Sequence, residues 1–180
     1  MFEELSSRDP KIKYGAAKAL LAAAKDDPTS LYPHTDYFVQ LLDSENNILK
    51  WTAIDIIGLL ARVDSANRIS AMTGRLVSFL SAGNLITANH AISALADFAV
   101  AYPERQEAIT GELMKVEHYS YDTDECRNIA LGKVILAIDP LLSTLRDKRS
   151  VLDFAQRQAH NTRNATAKKA QAFLKKHEND

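Results

Sequence analysis

Residues that could do chemistry gather in one stretch of this 180-residue chain, between His118 and Cys126. The stretch holds a histidine, three carboxylates and the only thiol, which are the residue types of a metal site or a Cys/His nucleophile. We expect a structural role instead. Asp122 or Thr123 suits a helix N-cap, which would place the next two acidic residues in the first helical turn and Cys126 at a core position.

The other histidines show no spacing that metal ligands would need. The five histidines are dispersed along the chain, and no HExxH pattern is present. The phosphate-binding and nucleophile patterns GxxxxGK[ST], GxGxxG and GxSxG are absent as well. We therefore predict no enzyme activity, no metal site and no cofactor, and we interpret His90 as a packed or half-exposed side chain rather than a catalytic base.

The composition is that of an ordinary soluble domain, with 46% hydrophobic and 25% charged residues, and we expect a single domain over 1–180. The net charge of -1 gives no chain-wide reason to bind nucleic acid or an anionic membrane. No apolar run reaches the roughly 20 residues that span a bilayer. The acidic start lacks signal-peptide features and one cysteine excludes an internal disulfide, so we expect a cytoplasmic protein with no cleaved leader.

Five segments align without gaps and predict a repeated helix. They begin at Ile12, Ile48, Ile86, Cys126 and Ala165, which are 36, 38, 40 and 39 residues apart. The first position is apolar or small, the fifth and sixth are mostly small, and the last two are large and mostly aliphatic, as in a packed helix stripe. The residues that this pattern predicts to be buried are Ile12, Leu20, Ile48, Ile56, Ile86, Val134 and Phe173.

A second helix is predicted between each pair of repeated segments, near 30–42, 65–80, 104–116 and 141–158. Prolines mark helix starts at Pro10, Pro103 and Pro140, where a missing N–H group is harmless. Residues 2–7 are too few for a full helix and predict a capping turn. The polar last helix suits a terminal repeat that covers the end of a stack.

These segments resemble the second helix of the HEAT repeat family, which has a similar order of apolar, often basic, small and large aliphatic residues. Lys13 and Arg127 occupy the basic position, while Leu49, Thr87 and Thr166 depart from it. The resemblance implies an all-α fold, a right-handed α-α superhelix (solenoid) of about five HEAT-like helical hairpins. Tetratricopeptide repeats fit less well because of their 34-residue period, and armadillo-like repeats would require a third helix.

In HEAT-like proteins the second helices line a concave surface, so the resemblance implies a scaffold or adaptor that binds a protein or peptide there. The stripe furthest from the bulky aliphatic residues is the candidate surface, and Trp51 flanked by charge has the composition of an interface hot spot. An equally good interpretation is that Trp51 is buried between two helices. By transfer along the repeats, the candidate partner-binding residues are Trp51, Asp55, Arg62, Asn89, Ser93, Lys133, Lys168 and Lys175.

The charge distribution supplies an alternative function. Residues 141–180 hold nine Lys or Arg against four Asp or Glu, whereas residues 1–140 hold thirteen against nineteen. Some HEAT-like DNA glycosylases bind the DNA backbone with a basic face, so the resemblance keeps nucleic-acid binding through the basic C-terminal repeat as an alternative. A solvated end cap and a HEAT-type enzyme acting on a bound cofactor are the other hypotheses.

Overall fold

The computed structural model describes residues 1–178, and helices without any strand make up the regular structure of that part of the chain. The five repeated segments lie within α1, α3, α5, α7 and α9, so the predicted all-helical class and the location of these five helices are confirmed. Among residues 1–178 no helix is both long and apolar enough to cross a membrane. The α-helices are α1 Pro10–Asp26, α2 Thr35–Leu41, α3 Asn47–Leu60, α4 Thr73–Ser78, α5 Leu85–Ala101, α6 Gln106–Met114, α7 Asp124–Ile138, α8 Lys148–Gln158 and α9 Asn164–Lys176.

Polar side chains cap the first turns of α1, α3, α5 and α7. Asp9 accepts a hydrogen bond from the Lys11 N–H group, with Pro10 as the first helical residue. Asn46 and Asn84 cap α3 and α5 in the same way, and Thr123 caps α7, as the sequence predicted. Because these caps recur at one-repeat intervals, the helices start at the same edge of the structure.

The helices form two layers. The odd-numbered helices contact one another in chain order, α1 with α3, α3 with α5, α5 with α7, and α7 with α9. The even-numbered helices pack on this row, α2 on α3, α4 and α6 on α5, and α8 on α9. Side-chain hydrogen bonds between neighbouring repeats join residues that are 32 to 41 positions apart in the sequence. Tyr32 and Asp64 are at the shortest separation, and Tyr121 and the Leu80 carbonyl oxygen are at the longest.

The hydrophobic core lies between the two layers. Phe38 and Phe154 reach it from α2 and α8, and Phe98 reaches it from α5. Four of the predicted core residues are confirmed, since Leu20, Ile56, Val134 and Phe173 are each at most 3% exposed.

The prediction that Ile12, Ile48 and Ile86 are buried is wrong, because their exposed fractions are 48%, 40% and 47%. These isoleucines lie in the first turns of α1, α3 and α5, and those of α3 and α5 begin the outer stripes that continue to Asp55 and Ser93. Ile56 follows Ile48 by eight residues, which rotates its side chain about 80° around the helix and into the core. Asp55 follows by seven, a rotation of only about 20°, and shares the outer stripe.

The four connecting helices are shorter than predicted, since 3-10 turns occupy part of each predicted range. In 65–80, a loop precedes the 3-10 turn Ser70–Met72 and the short α4, because the Asp64 carboxylate binds the N–H groups of Arg68, Ile69 and Ser70. In 141–158, the chain leaves the 3-10 helix Asp139–Thr144 before α8 begins. The predicted capping turn before α1 is confirmed as the 3-10 helix Glu3–Ser6.

Candidate functional site

The candidate site is the outer side of the odd-numbered helices, opposite the even-numbered layer, which we call the odd-helix face. It is continuous from α1 to α5, where a depression of about 200 Å³ is lined by Lys25 of α1, Asp55 and Leu59 of α3, and Asp97 of α5. At the other end, α7 and α9 share a depression of about 180 Å³. Its lining includes Leu136, Asp139, Lys169, Ala172 and Lys176.

Trp51 joins α3 to α5 at this face. Its indole N–H group donates to the Thr87 hydroxyl at 2.9 Å, and its ring stacks on His90 with centroids 5.6 Å and planes 9° apart. His90 Nδ1 in turn lies 2.8 Å from the Asp55 carboxylate. The polar groups of Trp51 and Asp55 therefore act within the chain, and the geometry favours a packing role for the half-buried indole.

The rest of the predicted α3 stripe also turns toward α5. A Cβ atom added to Gly58 would lie 2.8 Å from the Ala94 Cα atom, so the two helices are closest there. Further along, the Arg62 guanidinium donates to the Asp97 carboxylate at 2.6 Å. The stripe with the most exposed side chains is rotated away from this contact, and in α3 it begins at Ile48.

The predicted residues of α5, α7 and α9 are not brought into one cluster. The Ser93 hydroxyl donates to the carbonyl oxygen of Asn89 at 3.2 Å, and the Asn89 Oδ1 atom is buried with no hydrogen-bond partner. Lys133 is half-exposed on α7, and Lys168 and Lys175 are exposed on α9. Only Ser93 of these residues lines the depression that Asp55 also lines, and the other four line neither of the two depressions.

The segment 118–126 caps α7 as its sequence predicted, but Cys126 is half-buried rather than at a core position. The Thr123 hydroxyl accepts a hydrogen bond from the Cys126 N–H group, and Glu125 pairs with Arg163 at 2.7 Å. His118 is exposed, with its Nε2 atom 3.4 Å from Glu117. Within residues 1–178, no three His, Cys, Asp or Glu side chains lie together in an arrangement that could hold a metal ion.

Exposed apolar side chains mark the odd-helix face, which the sequence pattern did not reveal. Among the described residues, six large hydrophobic side chains are exposed, and all but Met1 lie on odd-numbered helices. Besides the three isoleucines they include Val100 on α5 and Leu136 on α7, which are 60% and 53% exposed. The even-numbered helices contribute none of these six.

Charge is also divided between the odd-numbered helices and the rest of the chain. The five odd-numbered helices hold eleven Lys or Arg against five Asp or Glu, whereas the remaining segments of the sequence hold eleven against eighteen. The excess of basic over acidic residues is therefore not confined to the C-terminal part of the chain, because α1 is basic as well.

No family model matches the chain, and no curated protein matches it either. A function for this chain must therefore be inferred from the surface of the structure.

The acidic groups at the centre of the face are already paired. Asp97 binds Arg62, and Asp55 lies against His90. At both ends, by contrast, lysines have no carboxylate within 4.0 Å among the described residues. These lysines are Lys18 and Lys25 on α1, Lys133 on α7, and Lys168, Lys169 and Lys175 on α9.

Sequence reasoning did not single out Asp64, whose carboxylate accepts five hydrogen bonds. Its carboxylate accepts from the hydroxyls of Tyr32 and Tyr102, each at 2.7 Å, and from three backbone N–H groups at 2.8 to 3.1 Å. Burial opposes ionisation, but the hydrogen bonds outweigh it and hold the pKa of Asp64 below its ordinary value. The same contact, together with burial, raises the pKa of Tyr102. Asp64 thus ties three repeats together and has a structural role.

A similar carboxylate closes the C-terminal end of the odd-numbered row. Asp139 lies 2.7 Å from His177 Nε2 and 2.9 Å from Lys176 Nζ. Burial would raise the pKa of Asp139, but the hydrogen bonds from His177 and Lys176 lower it below the ordinary value. This pairing uses Lys176 within the chain, unlike the lysines that precede it on α9.

Proposed function

We propose that this chain is a HEAT-like helical repeat module that binds a protein or peptide on its odd-helix face, as a scaffold or adaptor. The proposal includes the finer architecture, a right-handed superhelix of about five hairpins in which the odd-numbered helices line the concave side. Contact of the odd-numbered helices in chain order supports it, as do hydrogen bonds that step by one repeat.

The placement of the exposed hydrophobic side chains carries this proposal. Single exposed apolar residues are normal on any surface, but here Ile48 and Ile86 recur at the same position of two adjacent helices that line one depression. The fold does not need them there, since their side chains leave the core. A partner that covers them would remove their apolar surface from water, at about 25 cal/mol per Å².

The test is affinity capture of partners from native lysate, with and without nuclease. The decisive variant is Ile48→Ser with Ile86→Ser, and the control is Ala108→Ser with Arg149→Ser, two exposed positions on α6 and α8. We expect a nuclease-resistant protein to be retained by the wild type and the control and lost by the face variant. Circular dichroism must show equal helicity in all three.

Retention of the same partner by the Ile48→Ser, Ile86→Ser variant would reject the odd-helix face as the binding surface. Such a result would direct attention to the even-numbered helices or to the loops. Loss of the partner after nuclease treatment alone would mean that nucleic acid bridges the two proteins.

Nucleic-acid binding is the second candidate, and the excess of basic over acidic residues on the odd-numbered helices supports it. A phosphate-binding surface should show binding to duplex DNA that falls linearly with the logarithm of salt concentration. Lys168→Glu with Lys175→Glu should then reduce both affinity and salt slope. Asp55 and Asp97 at the centre of the face count against a continuous phosphate track, because their carboxylates would repel the backbone.

A further inference from the structure

We infer that the partner segment taken by the odd-helix face is apolar in its middle and acidic at both ends. The inference rests on the proposed function and adds the chemistry of the partner. It follows from the arrangement of the face, on which an apolar and electrostatically satisfied centre lies between two groups of unpaired lysines.

The centre of the face offers apolar contact and little unsatisfied charge. Ile48 and Ile86 are exposed on adjacent helices, and Leu59 lies further along α3. The nearby carboxylates already have partners, since Asp97 binds Arg62 and Asp55 lies against His90. A charged segment would have to compete with these contacts, whereas an apolar one would cover the isoleucines without disturbing them.

The first end of the face is basic. Lys25 lines the depression that also contains Asp55 and Leu59, which places its ammonium group beside the centre. Lys18 precedes Lys25 by seven residues, two helical turns, and therefore lies on the same stripe of α1. Neither lysine has a carboxylate within 4.0 Å among residues 1–178.

The other end of the face is basic as well. Lys169 lines the depression between α7 and α9 together with the exposed Leu136. Lys133 lies on α7, three residues before Leu136, and Lys168 adds an exposed ammonium group on α9. In the part of the chain that the structure describes, none of these three lysines has an acidic partner within 4.0 Å.

Acidic residues at both ends of a partner would complement these lysines. Ion pairs at the rim of an interface add little affinity each, but they speed association and determine orientation and partner choice. Apolar contact at the centre would provide most of the affinity, because residues there are shielded from water by their neighbours. The two features together define a partner that is neither uniformly acidic nor uniformly apolar.

The dimensions of the face limit the length of the partner segment. Four helix-to-helix steps of about 8 to 10 Å separate α1 from α9, which gives about 32 to 40 Å. An extended segment of roughly 10 to 12 residues covers that distance, and a helix needs roughly 21 to 27. The step between Ile48 and Ile86 corresponds to about three residues of an extended chain or about six of a helix.

Selection from a library of random 24-residue peptides displayed on phage tests this inference. We expect the peptides enriched on the wild-type protein to carry apolar residues in the middle and Asp or Glu toward both ends. A fluorescein-labelled peptide from that pool then serves as the probe. Its Kd is measured by fluorescence anisotropy for the wild type and for variants.

The charge variant is Lys25→Glu with Lys169→Glu, and its matched control is Lys148→Glu with Arg149→Glu on α8. Both change the net charge equally. We expect the Kd of the selected peptide to rise at least tenfold in the charge variant at about 0.1 M salt and to change less than twofold in the control. The difference should shrink at about 0.5 M salt, because exposed charges are then screened.

The outcomes separate the inference from the proposed function. Enriched peptides without acidic ends, whose binding is lost in the Ile48→Ser, Ile86→Ser variant, would overturn the inference and leave the proposed function intact. No enrichment, or binding that is indifferent to both variants, would overturn both. Salt-dependent binding of labelled duplex DNA that displaces the selected peptide would assign the lysines to phosphate instead and would also overturn the inference.

Discussion

Replacing Asp64 should destabilise the protein more than any other change of a single polar side chain considered below. Its carboxylate accepts hydrogen bonds from the hydroxyls of Tyr32 and Tyr102 and from the N–H groups of Arg68, Ile69 and Ser70. Asp64→Ala leaves all five donors without this acceptor. Hydrogen bonds to a charged group contribute about 1.5 to 3 kcal/mol each, and solvent can reach the exposed part of the site, so we expect a loss of about 3 to 5 kcal/mol.

The assay is urea unfolding followed by circular dichroism at pH 7, with Tyr32→Phe and Tyr102→Phe as companion variants. Each tyrosine variant removes one donor while keeping the ring, and should cost about 1 to 2 kcal/mol. In the Asp64→Ala background, the same tyrosine changes should cost much less, because the shared acceptor is gone. Additive losses in the double variants would refute the assignment of Asp64 as the common acceptor.

The acid side of the stability curve gives an independent measurement. Because the folded pKa of Asp64 is lowered, its ionised form stabilises the protein above the unfolded pKa, near 3.9, and that stability is lost as pH falls through the folded pKa. Asp64→Ala should therefore lose less stability than the wild type between about pH 5 and pH 2. Parallel pH curves for the two proteins would contradict a lowered pKa.

Three further predictions concern packing and the terminal ion pair. Gly58→Ala should cost about 1 to 3 kcal/mol, because the new Cβ atom would lie 2.8 Å from the Ala94 Cα atom, whereas Gly15→Ala, with nothing within 4 Å, should stabilise α1 by about 0.5 to 1 kcal/mol. Ile56→Ala should cost about 2 to 5 kcal/mol, and Ile48→Ala less than about 1 kcal/mol, in urea unfolding; equal losses would contradict the register of α3. Asp139→Asn should cost about 1 to 2 kcal/mol at pH 7, a difference that should shrink as the pH falls through the lowered folded pKa of Asp139.

The sequence predicted the helices better than their orientation. The 36- to 40-residue spacing located α1, α3, α5, α7 and α9, because large aliphatic residues must recur wherever a helix meets the same neighbours. The spacing did not show which side of each helix faces the even-numbered layer. Ile48 and Ile56 are both apolar members of the pattern, and only packing distinguishes the exposed one from the buried one.

The connecting helices were predicted as continuous because each repeat needs a second helix, although 30–42 contains Pro33 and 65–80 contains Gly74. In 65–80 the interruption depends on a distant group, since Tyr32 and Tyr102 hold the Asp64 carboxylate where it can bind the N–H groups of the following loop. Such tertiary capping is invisible to local propensity. An aspartate that follows the last helical turn is the only signal of it in the sequence.

The predicted site residues of α3 lie one strip of side chains away from the most exposed stripe. Trp51 and Arg62 were included because they lie opposite the bulky residues, yet both contact α5. In a stack of helices, the side of each helix opposite the core contacts the next repeat over part of its surface and solvent over the rest. Sequence periodicity alone cannot separate these two surroundings, because both accept small and polar residues.

The contacts between α3 and α5 suggest how stacking and binding residues can be told apart in such a repeat. Arg62 meets Asp97 and Asp55 meets His90, each 35 residues later, and Trp51 meets Thr87 36 residues later. A polar side chain whose complement recurs at that interval is used to hold one repeat against the next. The isoleucines at the centre of the outer stripe and the lysines at its ends have no such complement among the described residues, and they are the side chains that the proposed partner would cover.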